Sequence, residues 1–172
     1  MDFSKLAADR YSVRKFSSDP VSDADLSAIL EAARLAPSAV NKQPWRILVL
    51  RKPESMEKLR ECTKYTFDAP LALAVCAVPG EAWVRPFDND NAALVDAGII
   101  ATHIMLAVHS LGLGSTWVGY FDPAAFRKAF NLPDNIVPVA VFPIGHPAPD
   151  AKPSPSHASR KALSETVVYD SF

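Results

Sequence analysis

Cysteine is nearly absent from this chain, and neither sign of charge prevails. The two cysteines, Cys62 and Cys76, are widely spaced, and nothing in the sequence pairs them. Cys76 falls inside the apolar run 71–78 and reads as a buried thiol in a reducing compartment. Lysine and arginine total 18 against 19 aspartates and glutamates, a formal net charge of -1. No broad basic field therefore exists to hold nucleic acid or anionic lipid, and any anion site must be local. No G-x-S-x-G elbow and no phosphate-binding P-loop occurs. Gly112-Leu113-Gly114 is not a dinucleotide fingerprint: Trp117 stands where the third glycine would be, and a helix rather than a strand precedes it. His103 and His109 are six residues apart and do not share a helix face as paired ligands would, so no metal site is expected. The first residues, Met1-Asp2-Phe3-Ser4-Lys5, lack the apolar core of a secretory signal, and the expected location is cytoplasmic. The longest apolar stretch, 92–113, contains Asp96, His103 and His109, which are costly in a bilayer; it is expected to be a buried helix rather than a membrane span.

What is present describes one domain over residues 1–172, with enough apolar side chains for a core. Residues 2–9 read as a short helix and 10–19 as an extended, charged segment. Ser22 and Asp25 have capping-box-like spacing, with Asp in place of Glu, and Val21 and Leu26 are placed as a hydrophobic staple. Leu26, Ile29, Leu30 and Ala33 fall on one face of that helix, which Pro37 ends. A strand follows at 45–50 and helical character at 53–63. The run 71–78 lacks polar alternation, which suits a strand buried on both faces. Asn89 or Asp90 is placed to cap the long helix to Leu111, and Gly112 to end it. A short strand at 114–118 comes next, then a helix opened by Asp122-Pro123 and reaching about Phe130. A strand at 136–144, with Pro138 and Pro143 near its ends, completes the body.

The segment from about 147 to 172 differs in kind. It carries prolines at 147, 149, 153 and 155 and few apolar side chains before Leu163. It has no core of its own to offset the entropy of ordering it, so it is either floppy or laid across another surface. Val167, Val168 and Tyr169 are strand formers that could add to a sheet elsewhere.

Two constellations could carry chemistry. In Arg10-Tyr11-Ser12-Val13-Arg14, alternation in an extended chain puts Arg10, Ser12 and Arg14 on one face and turns Tyr11 and Val13 to the core. Two guanidiniums and a hydroxyl suit a phosphate or another anion; a solvated basic loop accounts for the same residues. In Ala36-Pro37-Ser38-Ala39-Val40-Asn41-Lys42-Gln43-Pro44-Trp45, a polar turn joins a helix to a strand. Its Ser38, Asn41 and Gln43 can read the polar edge of a heterocycle, or simply satisfy local backbone. Glu31 and Arg34 are most simply a surface ion pair.

Together these motifs resemble those of the nitroreductase-like flavoproteins. The R-x-S-x-R and A-P-S-x-x-N-x-Q-P-W patterns stand in the family's order. Asp96 through Gly119, with Leu111-Gly112-Leu113-Gly114-Ser115-Thr116-Trp117-Val118-Gly119, is similar to its central helix and glycine-rich strand entry. Pro143-Ile144-Gly145-His146-Pro147 is similar to its last internal strand, and Arg160-Lys161-Ala162-Leu163-Ser164-Glu165 to its C-terminal basic motif.

The resemblance implies an α+β fold: a mostly antiparallel sheet flanked by helices, with the C-terminal tail exchanged between the subunits of a homodimer. It implies FMN at the subunit interface. Arg10, Ser12 and Arg160 would hold the phosphate, with Lys161 or His157 standing in for a basic residue that many relatives have where this chain has Ala158. Arg14 would face the pyrimidine edge of the flavin, where a cation stabilises the charge that grows on reduction. Pro37, Ser38 and Asn41 would come from the partner, and Trp117, Val118 and Gly119 would flank the ring, with the Gly119 amide a candidate donor to N5. The implied activity is ping-pong reduction of electron-poor acceptors such as nitroaromatics or quinones by NAD(P)H, with the cofactor rather than a catalytic side chain carrying the chemistry. A specialised flavin reaction on the same scaffold, such as dehalogenation or flavin cleavage, and a non-catalytic flavin-binding module are the alternatives. The chain is short between Val78 and Asn91, where longer relatives cover the substrate; Trp83 and Phe87 are lid candidates there, or packing residues.

Overall fold

A computed structural model describes residues 2–172. Strands β1 (Trp45–Leu50), β2 (Leu71–Ala77), β3 (Gly114–Ser115) and β4 (Val137–Gly145) form one sheet in the order β1-β2-β4-β3, with every ladder antiparallel. The α+β expectation is met by this sheet and six helices: α1 (Phe3–Asp9), α2 (Asp23–Arg34), α3 (Pro53–Cys62), α4 (Ala93–Ser110), α5 (Pro123–Ala129) and α6 (Leu163–Thr166).

All seven residues of β2 are buried, as its unbroken apolar run requires. Its two-residue period divides the core. Leu71, Leu73, Val75 and Ala77 join Ala140, Phe142 and Ile144 of β4 under α2 and α4. Ala72 and Ala74 face the other way with Val141, against Leu59 of α3 and Phe126 of α5. The body is thus three layers, with helices on both faces of the sheet. Pro138, which has no amide to give a ladder, sits where the β2–β4 register shifts, and the bulge absorbs it. Both thiols are free and buried; burial pushes Cys76 up to about 11 and raises Cys62 as well.

Local signals explain most element ends. Ser22 Oγ accepts the Asp25 amide at 3.0 Å, but the shorter aspartate returns its carboxylate to the Ser22 hydroxyl, at 2.7 Å, rather than to backbone. Asp122 caps α5 with Pro123 in its first turn. The start of α4 corrects the expectation: its N-cap position is Ala92, which has no side-chain cap bond, and it is Asn91, not Asn89 or Asp90, that accepts the Ala93 amide at 3.0 Å. Asn89 is instead left-handed (φ 60°) in a turn held by Arg85 and Asp88. Helix α4 is long and apolar enough to cross a membrane by length and composition, with mean hydropathy 1.5. Here Ala97, Ile100, Ala101, Ile104 and Val108 bury one face of it in the core, while Leu94 and Val95 are exposed. Gly112 ends it at φ 76°, and the Leu113 amide reaches back to the Val108 carbonyl. The expected strand 114–118 is cut to two residues, and Val118 rejoins the sheet through a single bridge to Val141.

Candidate functional site

The N-terminal segment is laid along β3 because Gly114 has no side chain. A Cβ there would stand 2.5 Å from a Val13 methyl. The close approach lets the Val13 amide bond the Ser115 carbonyl at 3.0 Å and buries Val13. Beyond it, Phe16 bridges to Pro147, the Ala148 amide bonds the Lys15 carbonyl at 3.0 Å, and Lys15 pairs with Asp150 at 2.5 Å. The two ends of the chain therefore run together, and Tyr11 meets His157 edge to face at 6.1 Å between ring centroids.

The result is a cleft of about 250 Å³ into which Arg10, Ser12, Arg14, Ser156, His157 and Arg160 all face. The charge pattern sets this cleft apart. Of the nine arginines in the sequence, six lie within 4.0 Å of a carboxylate: Arg34 with Glu31, Arg46 with Glu81, Arg51 with Asp23, Arg60 with Glu57, Arg85 with Asp88, and Arg127 with Asp134. Among the described residues, Arg10, Arg14 and Arg160 are the three without one. Arg160 Nη1 donates to the carbonyls of His157 and Ser159, at 2.6 and 2.7 Å, and Arg14 Nη1 to the Ser12 carbonyl at 3.2 Å. These bonds aim the guanidiniums without neutralising them. Nearby His109 on α4 has its pKa lowered, first by burial; Asp9 opposes this and Arg10 reinforces it. A larger cleft of about 390 Å³, between Pro20 and Leu71, has Arg51 as the one cation in its lining, already paired with Asp23 at 2.5 Å. An uncompensated arginine cluster with hydroxyls is a site for a phosphate-sized anion.

Tyr11 does not turn to the core but lines the cleft, half-buried against His157. Lys161 is exposed and outside the lining, whereas His157 is in it. Val118 points into the core beside Phe126 and Val141, so only its backbone is available to a ligand. Trp117 is 39% exposed and stands on Phe142 at 5.2 Å, and the space where a Gly119 Cβ would sit is open but for the Trp117 indole nitrogen at 3.8 Å. Pro37, Ser38 and Asn41 lie outside the arginine cleft of their own chain. Ser38 Oγ accepts the Gln43 amide at 2.9 Å, and Asn41 Oδ1 accepts from Gln43 Nε2 at 3.2 Å. Phe87 is 94% exposed in its own chain. Ser154 and Ser156 were not legible as site residues; their only sequence signal is a Ser-Pro-Ser turn, which reads as local capping. Among the described residues no acidic, histidine and cysteine cluster could hold a metal.

Comparisons with known proteins identify the family. A family model described as the nitroreductase family matches residues 7–71 and 64–146. A nitroreductase family protein of Clostridium difficile has a solved structure that superposes with a TM-score of 0.94, at 37% identity over 100% of both chains. An NADH dehydrogenase of Thermus thermophilus is 31% identical over 186 aligned residues, covering 90% of this chain and 91% of that protein. An FMN reductase [NAD(P)H] of Bacillus subtilis is 28% identical, covering 96% and 73%. The chain belongs to the nitroreductase family.

Proposed function

We propose that this protein is an FMN-dependent NAD(P)H oxidoreductase that reduces electron-poor acceptors such as nitroaromatics and quinones, the two substrates using one site in turn. The observation that carries the reading is the convergence of Arg10, Arg14 and Arg160, none with a carboxylate, on one cleft. The donor set fits the phosphate of FMN: fixed guanidinium forks and hydroxyls match its oxygens. The FMN reductase relative points to the same cofactor. When bound, FMN supplies the hydride chemistry; the chain's residues hold and tune it. Arg10, Ser12 and Arg160 grip the phosphate, and Arg14 sets a positive charge by the ring's pyrimidine edge. Trp117 and the Gly119 backbone form an open shelf, and no side-chain nucleophile is required.

The working unit is a homodimer. Leu163, Val168 and Tyr169 of the arm are 78%, 52% and 83% exposed, and Leu94 and Val95 of α4 are exposed too. A second copy covers these apolar side chains and brings Pro37, Ser38 and Asn41 to its neighbour's flavin. The free, buried thiols suit a cytoplasmic setting. The test is an absorption spectrum of the purified protein followed by anaerobic NAD(P)H. A flavin spectrum that bleaches within one mixing time and returns on adding a quinone or nitroarene is expected; a colourless protein, or a flavin that NAD(P)H leaves oxidised, overturns the proposal.

A further inference from the structure

Asp96 is the only charged side chain fully buried in the core among the described residues, at 1% exposure. It lies four residues into α4, between the buried Ala93 and Ile100. A buried carboxylate is costly unless paired or hydrogen-bonded. No cation pairs with this one. Its Oδ1 accepts the Ala39 amide at 2.9 Å, and its Oδ2 is buried with no partner at all. An apolar residue would suit the position better as packing, so the carboxylate is kept for where its one bond lands.

That bond lands on a strained turn. Val40, Asn41 and Gln43 take φ of 51°, 54° and 51°. Left-handed backbone costs a non-glycine residue about 1–2 kcal/mol, and a β-branched valine tolerates it least. Val40 is also 71% exposed, so packing does not hold it there. The bonds that Gln43 donates to Ser38 Oγ and Asn41 Oδ1 tie the turn only to itself. The buried Val78 amide holds the far end of the turn through the Pro44 carbonyl, at 2.8 Å; the Asp96–Ala39 bond, reaching across 57 positions of sequence, is what ties its middle to the core.

We infer that Asp96 is a positioning residue for the cofactor site: its buried carboxylate anchors the Ala39 amide and so fixes the turn that presents Ser38 and Asn41. The inference rests on the placement of those two residues at the flavin proposed above. Asp96→Ala removes the acceptor, while Asp96→Asn keeps a carbonyl oxygen in its place. In the holoenzyme, Asp96→Ala is expected to raise the FMN dissociation constant about tenfold or more. It should also shift the flavin midpoint potential and visible circular dichroism, which general destabilisation would leave alone; Asp96→Asn should stay near wild type in all three. Wild-type values in Asp96→Ala overturn the role, and so does an Asp96→Asn defect as large as that of Asp96→Ala. Should neither variant fold, hydrogen exchange of the Ala39 amide in the wild-type holoenzyme decides: protection supports the anchor, and exchange at the rate of a free loop overturns it. The double variant Ser38→Ala/Asn41→Ala separates this inference from the reading beneath it. If it leaves affinity and potential unaltered, the turn is not at the flavin. If it alters them and Asp96→Ala does not, the role of Asp96 alone fails.

Discussion

The three-layer body and the C-terminal arm are held by opposite means. In the body, β2 is buried along its whole length and its neighbours Phe142 and Ile144 are sealed from solvent. In the arm, no residue from 149 to 172 is buried. The arm is docked instead by the Lys15–Asp150 pair, by backbone bonds to the N-terminal segment, and by Tyr11 against His157. The lesson is that stability and charge recognition come from different stretches of one chain. The body supplies the free energy of folding, and the arm supplies Arg160 and His157 to a cleft that the body alone leaves half-lined.

The contrast can be broken most severely in the core. Phe142→Ala should cost about 3–5 kcal/mol in denaturant unfolding, because it opens a cavity between β4 and α4. Tyr169→Ala, in the arm, should stay within about 0.5 kcal/mol when unfolding is measured on dilute, monomeric protein. Comparable losses would show that the arm belongs to the core after all. Next in size is charge. Arg160→Ala should weaken FMN binding by about 1.5–3 kcal/mol in a fluorescence titration, as expected for losing charge-assisted bonds. Arg34→Ala, which breaks only the exposed pair with Glu31, should leave that titration unchanged. Smallest is the docking of the arm itself. The hydrogen bond from Lys15 holds the Asp150 carboxyl below its ordinary range. Its contribution is therefore complete above the unfolded carboxylate value and fades as pH falls through the lower folded one. Limited proteolysis of the arm should quicken as the solution is acidified below about pH 4, before the body unfolds; a rate independent of pH would remove this contact from the account.

How much of this was legible depended on whether the cause was local. Ser22, Asp122-Pro123 and Gly112 mark helix ends within a few residues of sequence, and each stands where it was expected. The continuous apolar run of β2 declared its burial on both faces, and Glu31 and Arg34 pair at 2.6 Å as their spacing suggests. The cap of α4 was misplaced because the turn around Asn89 is fixed by Arg85 and Asp88, a side-chain contact that no periodicity reports. Tyr11 was assigned inward by strand alternation, but the arm packs on the outer side and gives its ring a partner in His157. In the sequence Asp96 reads as a cost in a bilayer and as the start of the central-helix resemblance, not as an anchor. Its bond to Ala39 joins residues far apart in sequence, and spacing carries no trace of it.

The clasp between Lys15 and Asp150 ties the first part of the polypeptide to the last. Arg10 and Arg14 stand before the body in sequence and Arg160 stands after it, so a chain emerging from the ribosome carries the first two while Arg160 is still to come. The proposed phosphate grip of Arg10 and Arg160 thus closes only once the arm has docked, and a chain truncated before the arm would present Arg10 without its partner cation. Cofactor retention in this protein is in effect a report that the arm is in place.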